Sequence, residues 1–94
     1  MIKVVAKSKV MEDKIEEVLN LYQELVIETR KEDGCIQYEL YQDNEDSSVL
    51  AMIEKWEDKA ALDNHMQTEH FKRIVPIVGK FVVESTLNIY HKMY

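Results

Sequence analysis

Two histidines, His65 and His70, follow the only tryptophan, Trp56, within the stretch Glu54 to Phe71, EKWEDKAALDNHMQTEHF. Imidazole titrates near neutrality, so a neutral ring held in a cavity can take a proton from a substrate or donate a hydrogen bond to its carbonyl. His65 is the candidate for that work. It lies one turn beyond Ala61 and Leu62, where the periodicity of its helix calls for an inward side chain. Trp56 and Tyr38 offer aromatic surface nearby, although both also suit a core, and His65 suits a packed histidine satisfied by a backbone group. Glu54 is the odd member of its strand face, either a buried acid facing a cavity or the partner of a lysine at a strand end. His91 is expected on the surface.

Other chemistries lack their residues. With only Gly34 and Gly79 there is no glycine-rich phosphate loop, and no GxSxG elbow or HExxH helix occurs. On a continuous helix His65 and His70 would point about 140° apart; a break would let them converge, but spacing supplies no further ligand, so no metal site is expected. Cys35 is the single cysteine, without an intrachain disulfide partner, and is expected to be a small strand residue. The net charge of −6 and the scattered lysines and arginines argue against nucleic acid or an anionic membrane as partner. No run of about 18 apolar residues is present, and the opening MIKVVAKSKV does not read as a leader, so the expected location is the cytoplasm.

The elements that must position these residues follow from periodicity. Ile2 to Lys7 reads as a strand, and Met11, Ile15, Val18, Leu19, Tyr22, Leu25 and Val26 mark one face of a helix of about five turns. Gly34 suits a left-handed turn into the next strand. Cys35 to Tyr41 and Val49 to Trp56 alternate as strands around the polar loop QDNEDSS, which predicts an antiparallel hairpin. Asp58 is the predicted cap of a helix over 58–66, and Thr68 of a second helix that Pro76 should end or kink near Val75. Gly79 should open a last, long strand over 80–92.

Strand, helix, strand, strand, helices, strand is the ferredoxin-like βαββαβ order, an α+β fold with helices on one face of a four-stranded antiparallel sheet. Residues 1–94 are expected to form a single domain. A chain of this size buries only about 60% of its unfolded surface. A homodimer covering the apolar side chains of the other sheet face, with the last strand reaching the partner, is therefore expected.

The segment EDGCIQYELYQ (Glu32–Gln42), followed by IEKWEDKAALDNHMQTEHF (Ile53–Phe71), resembles the antibiotic biosynthesis monooxygenase (ABM) family, which includes small quinol monooxygenases. Glu32, Gly34 and Tyr38 match its first motif; Glu54, Trp56, Asp58, His65, Thr68, His70 and Phe71 match its second. The resemblance implies a dimeric α+β barrel with a pocket between sheet and helices, and oxygenation of a quinol or phenol by molecular oxygen without flavin or metal. On that basis His65 is the candidate catalytic base or carbonyl partner, and Trp56, Tyr38, Phe71 and Glu54 are the candidate substrate-binding residues. Haem-degrading relatives use an asparagine in the first strand, which IKVVAK lacks, and His65 and Val75 stand where their tryptophan and histidine would fall. Two alternatives stay open: isomerisation of a small dicarbonyl or sugar phosphate, and a non-catalytic dimeric ligand-binding or stress module.

Overall fold

In the computed structural model of residues 1–94, strand β1 (Ile2–Val10) lies inside the sheet, between β3 (Val49–Trp56) and β4 (Val82–His91). β2 (Cys35–Gln42) completes the order β2-β3-β1-β4, with every neighbouring pair antiparallel. Val4 stands opposite Glu54 on one side and Ile89 on the other, and Tyr38 lies opposite Glu54 on the next strand out. Side chains at paired positions share a face, so Val4, Glu54, Tyr38 and Ile89 all look toward the helices. The expected ferredoxin-like arrangement is the observed one.

A short 3-10 turn (Glu12–Lys14) leads into α1 (Ile15–Thr29), which packs Val18 and Leu25 on the sheet. Its polar face, Glu16, Glu17, Asn20 and Gln23 among others, stays outside, as the period of 3.6 requires. The core joins these residues to Val4, Val10, Leu50, Met52, Trp56, Leu62, Ile74 and Val78, each side chain contributing roughly 1.5–3 kcal/mol of apolar burial when fully enclosed.

Gly34 carries the one positive φ in the chain, +83°. A Cβ at that position would also stand 2.6 Å from the Ala61 Cβ. The glycine therefore answers both a left-handed backbone and a close approach to the next helix. Its carbonyl accepts the Glu57 N–H at 2.9 Å, which fastens the loop before β2 to the end of β3.

Asp58 and Thr68 do cap helices, accepting the N–H of Ala61 and Phe71 respectively, at the starts of α2 (Lys59–His65) and α3 (Glu69–Gly79). The helix does not end near Val75: α3 runs through Pro76 to Gly79. Pro76 occupies the exposed side of α3, as does Lys72, whose carbonyl loses its helical N–H donor at the proline. Ile74 and Val78 hold the inner side down at 0% and 2% exposure. Gly79 accordingly ends a helix, and the strand begins at Val82.

Helical cover stops short of β4, of which only Val82 is half-buried. Leu87 and Ile89 pair with Ala6 and Val4 on the helix-bearing face yet remain 62% and 52% exposed. On the opposite face Val5, Ala51 and Ile53 are half-buried, interspersed with Lys3, Lys7 and Lys55. Among strand residues the strongest apolar exposure thus falls on the edge strand, where the expectation placed the apolar surface on the outer sheet face.

Candidate active site

The turn 66–68 between α2 and α3 brings the two histidines together. Thr68 Oγ1 accepts the Phe71 N–H at 3.3 Å and donates to the His65 carbonyl at 2.7 Å, so one hydroxyl ends α2 and starts α3. Because the axis changes there, the divergence expected of a continuous helix is cancelled: the two imidazole centroids are 6.3 Å apart.

Both rings meet Glu32. Its Oε2 lies 2.8 Å from His65 Nδ1 and 2.6 Å from His70 Nε2. Glu32 is held in place by its own backbone, its N–H donating to the Thr29 carbonyl at 3.0 Å and its carbonyl accepting the Cys35 N–H at 3.3 Å. The carboxylate accepts, so His65 carries its proton on Nδ1 and leaves Nε2 as the ring's acceptor. Burial lowers the pKa of His65, with the His70 charge acting the same way and Glu32 opposing both. The ring is thereby favoured in its neutral form.

Around that ring stand three aromatic side chains. Centroid distances from His65 are 4.7 Å to Trp56, 5.0 Å to Phe71 and 5.3 Å to Tyr38, the last two edge-on. Tyr38 and Trp56 also meet edge-on at 6.3 Å. All four expected aromatic and imidazole residues therefore form one cluster. It is tightly enclosed, with Trp56 0%, His65 2% and Tyr38 3% exposed, while Phe71 is half-buried.

Glu54 does not pair with a lysine. Its side chain is buried beneath the cluster and accepts the Trp56 indole N–H at 2.9 Å on Oε1. Desolvation pushes its pKa up to about 7, aided by the charge of Glu32 and opposed by the indole hydrogen bond. Tyr38 and Tyr22 are raised by burial as well, with Glu54 adding to both shifts. Cys35 is half-buried, and burial pushes its thiol up to about 11, which keeps it protonated and inert. His91 is exposed on the last strand.

Clefts open beside this cluster. One of about 420 Å³ runs between the helices and β4, bordered by Ala6, Ser8, Tyr22, Val75, Val78 and Leu87. A second, of about 460 Å³, shares Tyr22 and continues along Val26, Arg30 and Leu40. A third, of about 400 Å³, is bordered by Arg30, Cys35 and Tyr38. Neither Trp56, His65 nor Phe71 borders any of the three.

Glu32 and Tyr22 are the residues whose part spacing did not reveal. Glu32 is 33 positions from His65, and only its place in the first motif marked it. Tyr22 read simply as one apolar position of α1.

Comparison with known proteins gives a consistent picture. The family model described as antibiotic biosynthesis monooxygenase matches residues 1–76. The chain is 37% identical over 89 residues to "Putative monooxygenase YcnE" of Bacillus subtilis, covering 95% of this chain and 93% of that one. A crystal structure described as an antibiotic biosynthesis monooxygenase superposes with a TM-score of 0.96 at 39% identity over the whole of both chains. A conserved protein from Methanosarcina mazei Go1 superposes with a TM-score of 0.94 at 43% identity, over 97% of this chain and 91% of that one. Together with the fold and both motifs, these matches establish that the chain belongs to the antibiotic biosynthesis monooxygenase family.

Proposed function

We propose that this protein is a cofactor-independent monooxygenase that oxygenates a small quinol or phenol with molecular oxygen. The observation that carries the reading is the setting of His65: its imidazole is fixed through Nδ1 by Glu32 and packs among Trp56, Tyr38 and Phe71, in an enclosure whose burial favours the neutral ring. Family membership supplies the oxygenase class, and the aromatic walls suit an aromatic substrate.

In this reading the His65 Nε2 takes the hydroxyl proton of the substrate, and Glu32 stabilises the imidazolium that results. The phenolate is a far better electron donor to dioxygen than the phenol. A hydroquinone and dioxygen then yield a hydroxyquinone and water: one oxygen atom enters the ring, the other leaves as water, and the substrate supplies all four electrons, so no external reductant is needed. Trp56, Tyr38 and Phe71 exclude bulk water from this exchange. Phe71, whose ring centroid is 5.0 Å from that of His65, is half-buried and the His70 side chain is 15% exposed; both lie on the first turn of α3, and the proposed entry runs past that turn. Glu54 holds Trp56 through its indole N–H.

The assembly proposed for this function is a homodimer in the cytoplasm. Exposed Val83, Leu87 and Ile89 along β4 support a second copy as its partner, and no helix is long and apolar enough to cross a membrane. The test is oxygen uptake with a naphthohydroquinone, using protein freed of metal and flavin, with labelled dioxygen to follow the inserted atom. Uptake above autoxidation with one labelled oxygen in the product supports the proposal. Uptake at the autoxidation rate contradicts it.

The enclosure of the cluster favours a second reading, a non-catalytic module in which His65 and its aromatic neighbours are core. Binding separates the two: a quinol analogue that perturbs Trp56 fluorescence with saturable dependence supports the enzyme, whereas binding confined to the Tyr22 cleft with Trp56 unmoved supports the module.

A further inference from the structure

We propose that Glu32, His65 and His70 form a binding site for a borderline divalent transition-metal ion of the Zn²⁺ or Co²⁺ type. Three donors of the kinds such ions select, two imidazole nitrogens and one carboxylate oxygen, converge from the loop after α1, the end of α2 and the start of α3. All three donor atoms lie within 4.8 Å of one another.

The geometry needs little change to admit an ion. Zinc binds imidazole nitrogen at about 2.0–2.1 Å, and two such donors on a tetrahedral centre stand roughly 3.3 Å apart. Here the Glu32 oxygen occupies the point toward which both nitrogens are directed, 2.8 and 2.6 Å away. An ion seated nearer the two nitrogens, at about 2.0–2.1 Å from each, requires the carboxylate to withdraw by on the order of 1 Å. Glu32 lies in the loop between α1 and β2, and its side chain keeps 12% of its surface exposed. The two ring nitrogens, within 4.8 Å of each other, close toward roughly 3.3 Å on binding, on a turn that the Thr68 hydroxyl fixes by bonding the His65 carbonyl. Glu32 and His70 keep 12% and 15% of their side-chain surface exposed, and a water reaching that edge would be the fourth ligand.

The donor set disfavours hard cations and a thiolate-rich site. Magnesium and calcium prefer all-oxygen shells. The Cys35 thiol, although it follows Glu32 in the same turn, is not among the converging donors, and its raised pKa keeps it protonated.

Binding would alter His65. Once the ion occupies the Nδ1 lone pair, the remaining ring proton resides on Nε2, and the nitrogen facing away from Glu32 changes from acceptor to donor. Zinc would then suppress proton abstraction by His65. That consequence rests on the base role proposed above, whereas the binding does not.

The experiment is titration of chelator-treated, full-length protein with Co²⁺, followed by its visible ligand-field absorption and by proton NMR of the histidine rings. The expected result is one Co²⁺ per chain, displaced by Zn²⁺, with paramagnetic shifts at His65 and His70 and none at His91. Glu32→Gln and His70→Ala, checked by circular dichroism for an intact fold, should each weaken binding by at least about tenfold. Cys35→Ser and His91→Ala should leave it unchanged. No absorption above that of free Co²⁺, or shifts confined to His91, would show that Glu32 only hydrogen-bonds the two rings and would overturn the proposal. The wild-type spectra decide the matter even if a variant fails to fold, and neither readout requires turnover of a quinol.

Discussion

Glu32 Oε2 lies 2.6 Å from His70 Nε2, across 38 positions of sequence, and this contact ties the loop before β2 to the first turn of α3. A hydrogen bond to a charged group contributes roughly 1.5–3 kcal/mol where water is largely excluded. Glu32→Gln should therefore lower stability by about 2 kcal/mol in urea unfolding, and His70→Ala by a similar or smaller amount. Because both variants break one network, the double variant should cost clearly less than the sum. Strict additivity would show that the two residues act independently.

Gly34→Ala meets two separate obstacles, the φ of +83° and the Ala61 Cβ at 2.6 Å. The left-handed backbone costs roughly 1–2 kcal/mol for a residue with a Cβ, and the displaced helix adds on the order of 1–3 kcal/mol. Placing Gly34→Ala in an Ala61→Gly background should recover the second part and leave the first. Thermal unfolding of the four proteins in that cycle measures both terms. Equal costs in the two backgrounds would remove the steric part of the explanation.

Glu54 should give the fold an unusual pH dependence. Its carboxyl rises from an ordinary 4.5 to about 7 through burial, with Glu32 reinforcing and Trp56 opposing; Tyr22, Tyr38 and Cys35 are the other titratable groups that feel it. The folded state holds the proton more tightly than the unfolded one. Its stabilising contribution is therefore complete below about pH 4.5 and is lost as the pH rises to about 7, by on the order of 3 kcal/mol. Glu54→Gln, which keeps an acceptor for the Trp56 indole, should match the wild type near pH 5 and exceed it at pH 8. Urea midpoints across that range check this, and parallel curves for the two proteins would contradict it.

Dimerisation should depend on the edge strand. Leu87 is 62% exposed on the same sheet face as Ala6, so Leu87→Glu should convert the proposed dimer to monomer without unfolding it. Sedimentation equilibrium reads the outcome. A wild-type chain that is monomeric at micromolar concentration would contradict the assembly.

Much of this architecture follows from local pattern. Alternation marks β1, β2 and β3, the 3.6 period marks α1, and Asp58 and Thr68 announce their helices by side-chain chemistry that acts within three residues. The aromatic neighbourhood of His65 follows from the motifs. What local pattern missed depends on distance or on exposure. Glu32 reaches His65 and His70 only once the chain has folded back. Pro76 is tolerated inside α3 because the carbonyl it deprives, that of Lys72, lies on the exposed side. Glu54 attaches to Trp56, two residues along its own strand and on the same face, where charge alone suggested a lysine.

The central claim is that His65, held by Glu32 among three aromatic rings, performs proton abstraction for oxygenation. It is tested most directly by single-turnover oxygen consumption with a naphthohydroquinone, comparing wild type with His65→Gln in metal-free and flavin-free protein. A positioned general base contributes about 10²–10⁴-fold, so His65→Gln should slow the oxygen-dependent step by at least about a hundredfold while the substrate still binds. Equal rates in the two proteins would contradict the account.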